Sequence, residues 1–248
     1  MNILIPLAGA AKRFKEAGHT FPKTLVQVID KPMIQWVIEN LSLPKAQFTF
    51  VINKSDVLEF SLDAVLRRLK EDCNLILQSD TAMGAACSAL LGIEYIDNSD
   101  ELIIAAGDQY MNCNLQEIIE DFRKSPADAG TITFKSIHPQ YSFVLTDEEG
   151  WVVEVAEKRP ISDNANVGIF WFRHGKDFIE SVKMLIRKED MVLGQYYLAP
   201  ALNQIILMGK KVRTHPVQKE DFLTFGTPEK VQEYNNKGVL YNKKGSLF

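Results

Sequence analysis

Apolar and polar positions follow two regimes along this chain. In the first half, short unbroken apolar runs are separated by amphipathic stretches. Ile3–Leu7, Phe48–Ile52, Asn74–Leu77 and Glu101–Ala106 read as buried strands. Between them, Lys31–Leu41 sets Met33, Trp36, Val37 and Leu41 on one face of a helix begun near Pro32. Leu58–Lys70 reads as a charged amphipathic helix and Met83–Gly92 as a helix rich in small residues. Such alternation predicts an α/β fold, a mostly parallel central sheet flanked by helices on both faces. After about residue 130 the regime changes. Thr131–Ile137, Tyr141–Thr146, Trp151–Ala156 and Asn166–Phe172 are strand-like, with Asp147–Gly150 as a turn. Antiparallel strands added to one side of the sheet explain this better than a second independent domain. A single domain over residues 1–248 is expected, with halves at 1–130 and 131–235 and a polar, weakly patterned tail at 236–248.

Composition narrows the functional classes. With 46% apolar and 24% charged residues in 248, the chain has the make-up of a soluble globule with a substantial core. A formal net charge of -4 argues against a nucleic-acid surface, so any anion site must be a local concentration of cations. Cys73, Cys87 and Cys113 lack metal-ligand spacing and read as buried reduced thiols of a cytoplasmic protein. Met1–Leu7 is too short for a signal-peptide core, and no stretch approaches a membrane span. A cytoplasmic protein with neither membrane nor nucleic-acid partners is expected.

In an open parallel sheet, ligands sit beyond the carboxyl ends of the strands. After the first strand comes "LAGAAKRF". Gly9 and the alanines let backbone approach a ligand, N–H groups at a helix entry suit phosphate oxygens, and Arg13 offers a bidentate charge. A tight turn with two solvated cations, Lys12 and Arg13, is the ordinary alternative. In "FPKTL", Pro22 restrains the backbone that presents Lys23. Asp108 in "AAGDQY" ends an apolar strand where a hard-cation ligand is expected, although a turn or cap aspartate would look the same. Gln78 offers an amide able to pair with a base edge, and Gly84 lets a flat ring lie on the backbone. Later, "VAEKRPISDNANVGIFWF" puts Glu157 and Lys158 at one strand end and Asn166–Gly168 at the start of another. An exposed ion pair is the usual role of such a Glu-Lys couple.

Taken in order, these segments resemble the sugar-nucleotidylyltransferase (nucleotide-sugar pyrophosphorylase) superfamily over nearly the whole chain. The carrying motifs run from "LAGAAKRF…FPKTL…DKPMI" through "GDQ" and "EKRPIS…NVGIFWF" to "FGTPEK". The chain is most similar to small members found in bacterial capsule and surface-polysaccharide loci. The resemblance implies a nucleotide-diphospho-sugar-transferase (Rossmann-like) fold, with residues 1–130 binding the nucleotide and 131–235 the acceptor. It implies transfer of a nucleotidyl group from a nucleoside triphosphate, with CTP favoured, to a sugar phosphate or other small phosphate. Mg2+ is the implied cofactor. Arg13 and Lys23 fall on catalytic positions, and Leu7, Ala8, Gly9, Ala10, Gln78, Gly84 and Asp108 on nucleotide-binding ones, Asp108 being also the metal ligand. Glu157, Lys158, Asn166 and Gly168 fall on the acceptor side. Tyr196 and Tyr197 in "GQYYLAP" are either a further wall of that pocket or packing residues. A homo-oligomer is left open.

Two positions depart from the pattern. Ala11 stands where a second loop glycine is usual, and Thr224 stands where a second metal aspartate is usual, with Asp221 three residues earlier. A glycosyltransferase of the same fold is the rival expectation, but Asp108-Gln109-Tyr110 lacks the second carboxylate of an Asp-x-Asp motif. A relative with decayed catalysis is the third.

Overall fold

A computed structural model describes residues 1–9, 11–79 and 82–238. Four parallel strands build its first half: β1 (Asn2–Pro6), β4 (Gln47–Asn53), β5 (Asn74–Gln78) and β6 (Leu102–Ala105). Short pairs lie between them and after: β2 (Gln27–Val28) with β3 (Lys31–Pro32), and β7 (Gln109–Met111), which pairs with β13 (Phe222–Thr224). The second half contributes β8 (Ala129–Lys135), β9 (Ser142–Thr146), β10 (Val152–Glu157), β11 (Asn164–Phe172) and β12 (Val212–Pro216). The main sheet runs β10-β9-β11-β6-β1-β4-β5, with β8 pairing β11 and β12. β11 is antiparallel to β6, β8 and β9, as the sequence predicts, but β12 pairs β8 in parallel, which the pattern does not reveal.

Ten helices are described: α1 (Lys12–Glu16), α2 (Met33–Asn40), α3 (Lys54–Phe60), α4 (Leu62–Leu69), α5 (Ala85–Leu90), α6 (Ile93–Ile96), α7 (Leu115–Lys124), α8 (Gly175–Arg187), α9 (Ala201–Leu207) and α10 (Pro228–Lys237). The stretch expected as one helix over Leu58–Lys70 is two, because Ser61 takes a left-handed conformation (φ 52°) between α3 and α4. Both faces of the sheet are covered. Ile3, Ile5, Phe48, Phe50 and Ile103 pack under α2, α4 and α7, while Leu4, Val51, Leu102 and Ile104 pack under α5, α8 and α9. That is why the strands read as unbroken apolar runs. A smaller cluster of Phe14, Val26, Val28, Met33, Trp36, Phe225, Val231 and Tyr234 ties α1 and β2 to α10. It fixes the segment that carries Lys23. Cys73, Cys87 and Cys113 are free thiols. Among the described residues no helix is long and apolar enough to cross a membrane.

One strand holds the two halves in register. β11 pairs with β9 at Ala165 and with β6 over Ile169–Phe172, and an irregularity between Asn166 and Phe170 separates the two pairings. Gly168 occupies that irregularity at φ +85°, its N–H donating to the Asn166 Oδ1 at 2.6 Å and its carbonyl accepting from the Ala106 N–H at 3.1 Å. The Asn166 amide in turn donates to the Thr131 hydroxyl at 2.6 Å. A Cβ on Gly168 would meet the Gln109 side chain at 2.6 Å. Gly168→Ala is therefore expected to destabilise the protein by about 1–3 kcal/mol in urea unfolding, from backbone strain and displacement of Gln109.

Candidate active site

The carboxyl ends of β1, β4 and β6 open into one cleft of about 650 Å³. Its floor and walls come from consecutive segments: Pro6, Leu7, Gly9 and Ala11 after β1, Asn53, Ser55 and Asp56 after β4, and Ala106, Gly107 and Asp108 after β6. Lys15 of α1, with His19, Phe21 and Lys23 from the segment after it, closes one side, with Glu59 and Phe60 of α3 facing them. Phe21 and Phe60 meet with ring centroids 5.6 Å apart. Gly9 lines this cleft, and a Cβ there would meet no atom of the described residues within 4 Å. Open space above a bare backbone is what close ligand approach needs.

At the centre, the Lys23 ammonium forms an ion pair with Asp108. The two side chains are only 22% and 24% exposed, so the pair is shielded more than a surface one. Three contacts fix it in place. Lys23 opens a 3-10 turn whose start is set by Pro22, its ammonium lies 5.4 Å from the centre of the Phe14 ring, and the Phe225 N–H donates to the Asp108 carbonyl at 2.7 Å. Thr224 pairs with Gln109 across β7 and β13, and its hydroxyl accepts from the Gly226 N–H at 3.1 Å. A Cβ on Gly226 would lie 3.0 Å from the Thr224 Oγ1 and 3.4 Å from the Asp108 Oδ2, so both oxygens border one small space. Asp221 precedes β13, its carbonyl accepting from the Asn112 N–H. It stands about 10 Å along the strand from Thr224 and does not replace it.

The other expected residues fall in three places. Leu7, Gly9 and Asp108 line the cleft with Lys23, Ala8 is buried beside it, and Ala10 lies outside the described residues. Arg13 is exposed on α1 and does not line the cleft; Lys15 of the same helix does. Lys12 makes an exposed pair with Glu16. Gln78 sits at the end of β5 beside Asn53, buried, with neither amide atom hydrogen-bonded among the described residues. A buried amide without a partner is costly unless a ligand supplies one. Gly84 has φ +111° because the backbone of Tyr196 presses on it: Tyr196 donates to the Met83 carbonyl at 2.7 Å and accepts from the Ala86 N–H at 3.1 Å.

Glu157 ends β10 and Lys158 follows it. Burial pushes the Glu157 carboxyl up to about 7, against the opposing pull of Lys158. Lys158 has φ 56°, and its ammonium meets the Tyr197 hydroxyl and lies 4.4 Å from the centre of that ring. Asn166 and Gly168 are in the β11 irregularity, holding strands instead of lining the cleft.

The description of the family model that matches residues 3–242 is nucleotidyl transferase. The chain belongs to that family. Curated relatives include the bifunctional protein GlmU of Thermodesulfovibrio yellowstonii, 26% identical over 235 residues, which are 90% of this chain and 48% of that one. The bifunctional sugar-1-phosphate nucleotidylyltransferase/acetyltransferase of Sulfurisphaera tokodaii is 25% identical over 95% of this chain and 55% of its own. The chain thus spans about half the length of these relatives. A nucleoside-diphosphate-sugar pyrophosphorylase from Vibrio cholerae superposes with a TM-score of 0.81 at 20% identity, covering 94% of this chain and 99% of that one. The inositol-1-phosphate CTP transferase of T. maritima gives 0.74 at 16%, covering 96% and 95%. These likenesses agree with the expected Rossmann-like α/β architecture.

As a nucleotidyl transferase family member the chain is expected to use Mg2+, and its residues fit a sparse version of such a site. Among the described residues no three His, Cys, Asp or Glu side chains gather to hold a metal. Asp108 supplies one carboxylate, with the neutral Thr224 hydroxyl near it. Mg2+ commonly takes one or two carboxylates and fills the remainder with phosphate and water oxygens, so this set suits an ion that arrives with the triphosphate.

The cleft wall after β4 is what reading the sequence missed. "NKSD" follows a strand as surely as "LAGA" and "AGDQ" do, and the strand-end rule alone would have found it.

Two expectations follow. Ala11 lines the cleft at φ 47°, a left-handed conformation costing a side-chain residue about 1 kcal/mol. Ala11→Gly should raise stability in urea by up to about 1 kcal/mol and lower the Kd for a nucleoside triphosphate in a titration. Glu157, with its folded pKa above the ordinary carboxyl value, contributes stability below about pH 4.5 that is lost as pH rises through about 7. Between pH 5 and 8 the wild type should therefore lose melting temperature relative to Glu157→Gln.

Proposed function

We propose that the chain transfers a nucleotidyl group from a nucleoside triphosphate to a phosphorylated small molecule, releasing pyrophosphate. The observation that carries this is the Lys23–Asp108 pair at the carboxyl edge of the sheet, inside a cleft with a bare glycine backbone. A phosphate oxygen of the acceptor attacks the α-phosphorus; a new P–O bond forms as the bond to the bridging oxygen of pyrophosphate breaks. The attacking phosphate is already anionic at pH 7, so no protein nucleophile is required.

The task left to the protein is to align two polyanions and absorb charge on the leaving group. Lys23 stands at the cleft centre, where a triphosphate competes with Asp108 for its ammonium. Lys15, on the following helix, adds a cation to the cleft wall, and Arg13 is exposed on the same helix. Mg2+ held by Asp108 would supply further neutralisation of the phosphates. Gln78, buried with both amide atoms unpaired among the described residues, is assigned to the base edge, and Gly84 to the floor beneath it. Glu157 and Lys158 take the acceptor, the ammonium facing its phosphate and the carboxyl its hydroxyls.

A sugar phosphate is the first acceptor candidate, since relatives carry sugar-1-phosphate and nucleoside-diphosphate-sugar names. CTP is the first donor candidate, supported by the likeness to a CTP transferase. The resemblance to capsule-locus members supports a role for the product in surface-polysaccharide synthesis, with the enzyme in the cytoplasm.

Pyrophosphate release from each nucleoside triphosphate, with Mg2+ and a panel of sugar and polyol phosphates, is the test. Pyrophosphate should appear only with both substrates. Transfer from a nucleotide sugar without it would select the glycosyltransferase reading instead. Lys23→Ala should lower kcat/KM by a hundredfold or more, about 3 kcal/mol of transition-state stabilisation. Near-wild-type turnover would remove Lys23 from the mechanism.

A further inference from the structure

Lys23 and Lys158, both assigned to substrate in the preceding section, are held in opposite ways. Lys23 rests on a carboxylate, whereas Lys158 rests on a phenol. We propose that Tyr197 is a positioning residue that presents the Lys158 ammonium to an acceptor anion without neutralising it, and that its own hydroxyl completes a two-donor grip on that anion. This rests on the assignment of Lys158 to the acceptor side in the preceding section.

The geometry begins with the backbone. Lys158 takes a left-handed conformation (φ 56°) directly after β10, its N–H donating to the Tyr141 carbonyl at 2.9 Å. That turn sends consecutive side chains to different partners. Arg159 makes a 2.7 Å exposed pair with Glu154, while Lys158 has Tyr197 as its contact, through both hydroxyl and ring face. Among the described residues no carboxylate forms an ion pair with Lys158. Its nearest acidic neighbour in sequence, Glu157, is kept largely protonated below pH 7 by its burial.

Tyr197 is set firmly enough to do this. Tyr196 before it is 5% exposed and is hydrogen-bonded on both sides to the start of α5, against Gly84, whose lack of a side chain permits the approach. Leu198 after it lines the nucleotide cleft. Three consecutive residues therefore touch the base-loop helix, the acceptor lysine and the donor cleft. In the contact with Lys158 the ammonium donates and the phenol oxygen accepts, which leaves the phenol O–H free to donate elsewhere. A tyrosine ring also attracts the ammonium through its face, so the position is defined in two directions. A carboxylate in the same place would hold the lysine as well but would repel the anion it is meant to receive. An uncharged partner orients the cation and leaves its charge to the ligand.

The test uses the full chain and does not require the natural acceptor. Limiting acetic anhydride acylates Lys158 at a rate read by peptide mass spectrometry, with exposed Lys12 as internal reference. In the wild type, inorganic phosphate and glucose 1-phosphate should each slow acylation of Lys158 and leave Lys12 unaffected. Tyr197→Phe keeps the ring and loses the hydroxyl, and should need about five-fold more of either anion for the same protection, the worth of one hydrogen bond. Tyr197→Glu should abolish protection. Unchanged melting temperature in Tyr197→Phe confirms that fold loss is not the cause. Equal protection of all three proteins, or none in the wild type, overturns the proposal. Once an acceptor is found, Tyr197→Phe should raise its KM with kcat and the nucleotide KM within about twofold. Tyr197-dependent protection without pyrophosphate release from any triphosphate would leave the grip standing and sink nucleotidyl transfer; pyrophosphate release with an unchanged acceptor KM would do the reverse.

Discussion

A lysine ammonium lying on an aspartate carboxylate at the carboxyl edge of the sheet is the contact around which the cleft is arranged. Two opposite charges sharing a partly shielded space satisfy each other, and on the proposed function they are what a magnesium triphosphate would require: a cation for the phosphates and a carboxylate for the metal. The protein thus stores its binding groups as a neutral pair. The acidic net charge noted from composition is no obstacle, because the positive potential is local and held in reserve until an anion competes for it.

Much of the surrounding architecture serves to hold those two residues. Phe14, Trp36, Phe225 and their neighbours form a separate small core that pins the Lys23 segment to α2 and α10, and the β7–β13 pairing brings Thr224 beside Asp108. The contrast with Lys158 is chemical. Lys23 rests on a carboxylate, which on the proposed function would also serve a metal. Lys158 rests on a phenol.

The parallel first half was legible because its strands are buried on both faces and read as plain apolar runs: Ile3, Leu4 and Ile5 alternate between two cores yet are all apolar. The segments after β1 and β6 were legible for the same reason, since a strand end is visible where the run stops. Other features depend on contacts distant in sequence. The break at Ser61 is a single residue in a left-handed conformation within an otherwise helical pattern. β12 is short, with an exposed or half-exposed residue at every position after Val212, so nothing marks it as a strand running parallel to β8. The sequence points to Arg13, whereas the cation of α1 on the cleft wall is Lys15. Only the packing of Phe14 decides which of the two cations reaches the cleft wall.

The irregularity in β11 bears on how such a protein diversifies. The same strand supports β6, whose end carries Asp108, and β9, whose neighbour β10 ends in Glu157. A residue gained or lost between Asn166 and Phe170 would disturb both pairings at once, and with them the strand ends that lead to Asp108 and Glu157. On the proposed function, a change of acceptor is accommodated more readily by exchanging side chains in the connections 158–163 and 188–198, which meet where Lys158 contacts Tyr197. Those connections carry no strand of the main sheet, and they are where a designer seeking altered substrates would place a library.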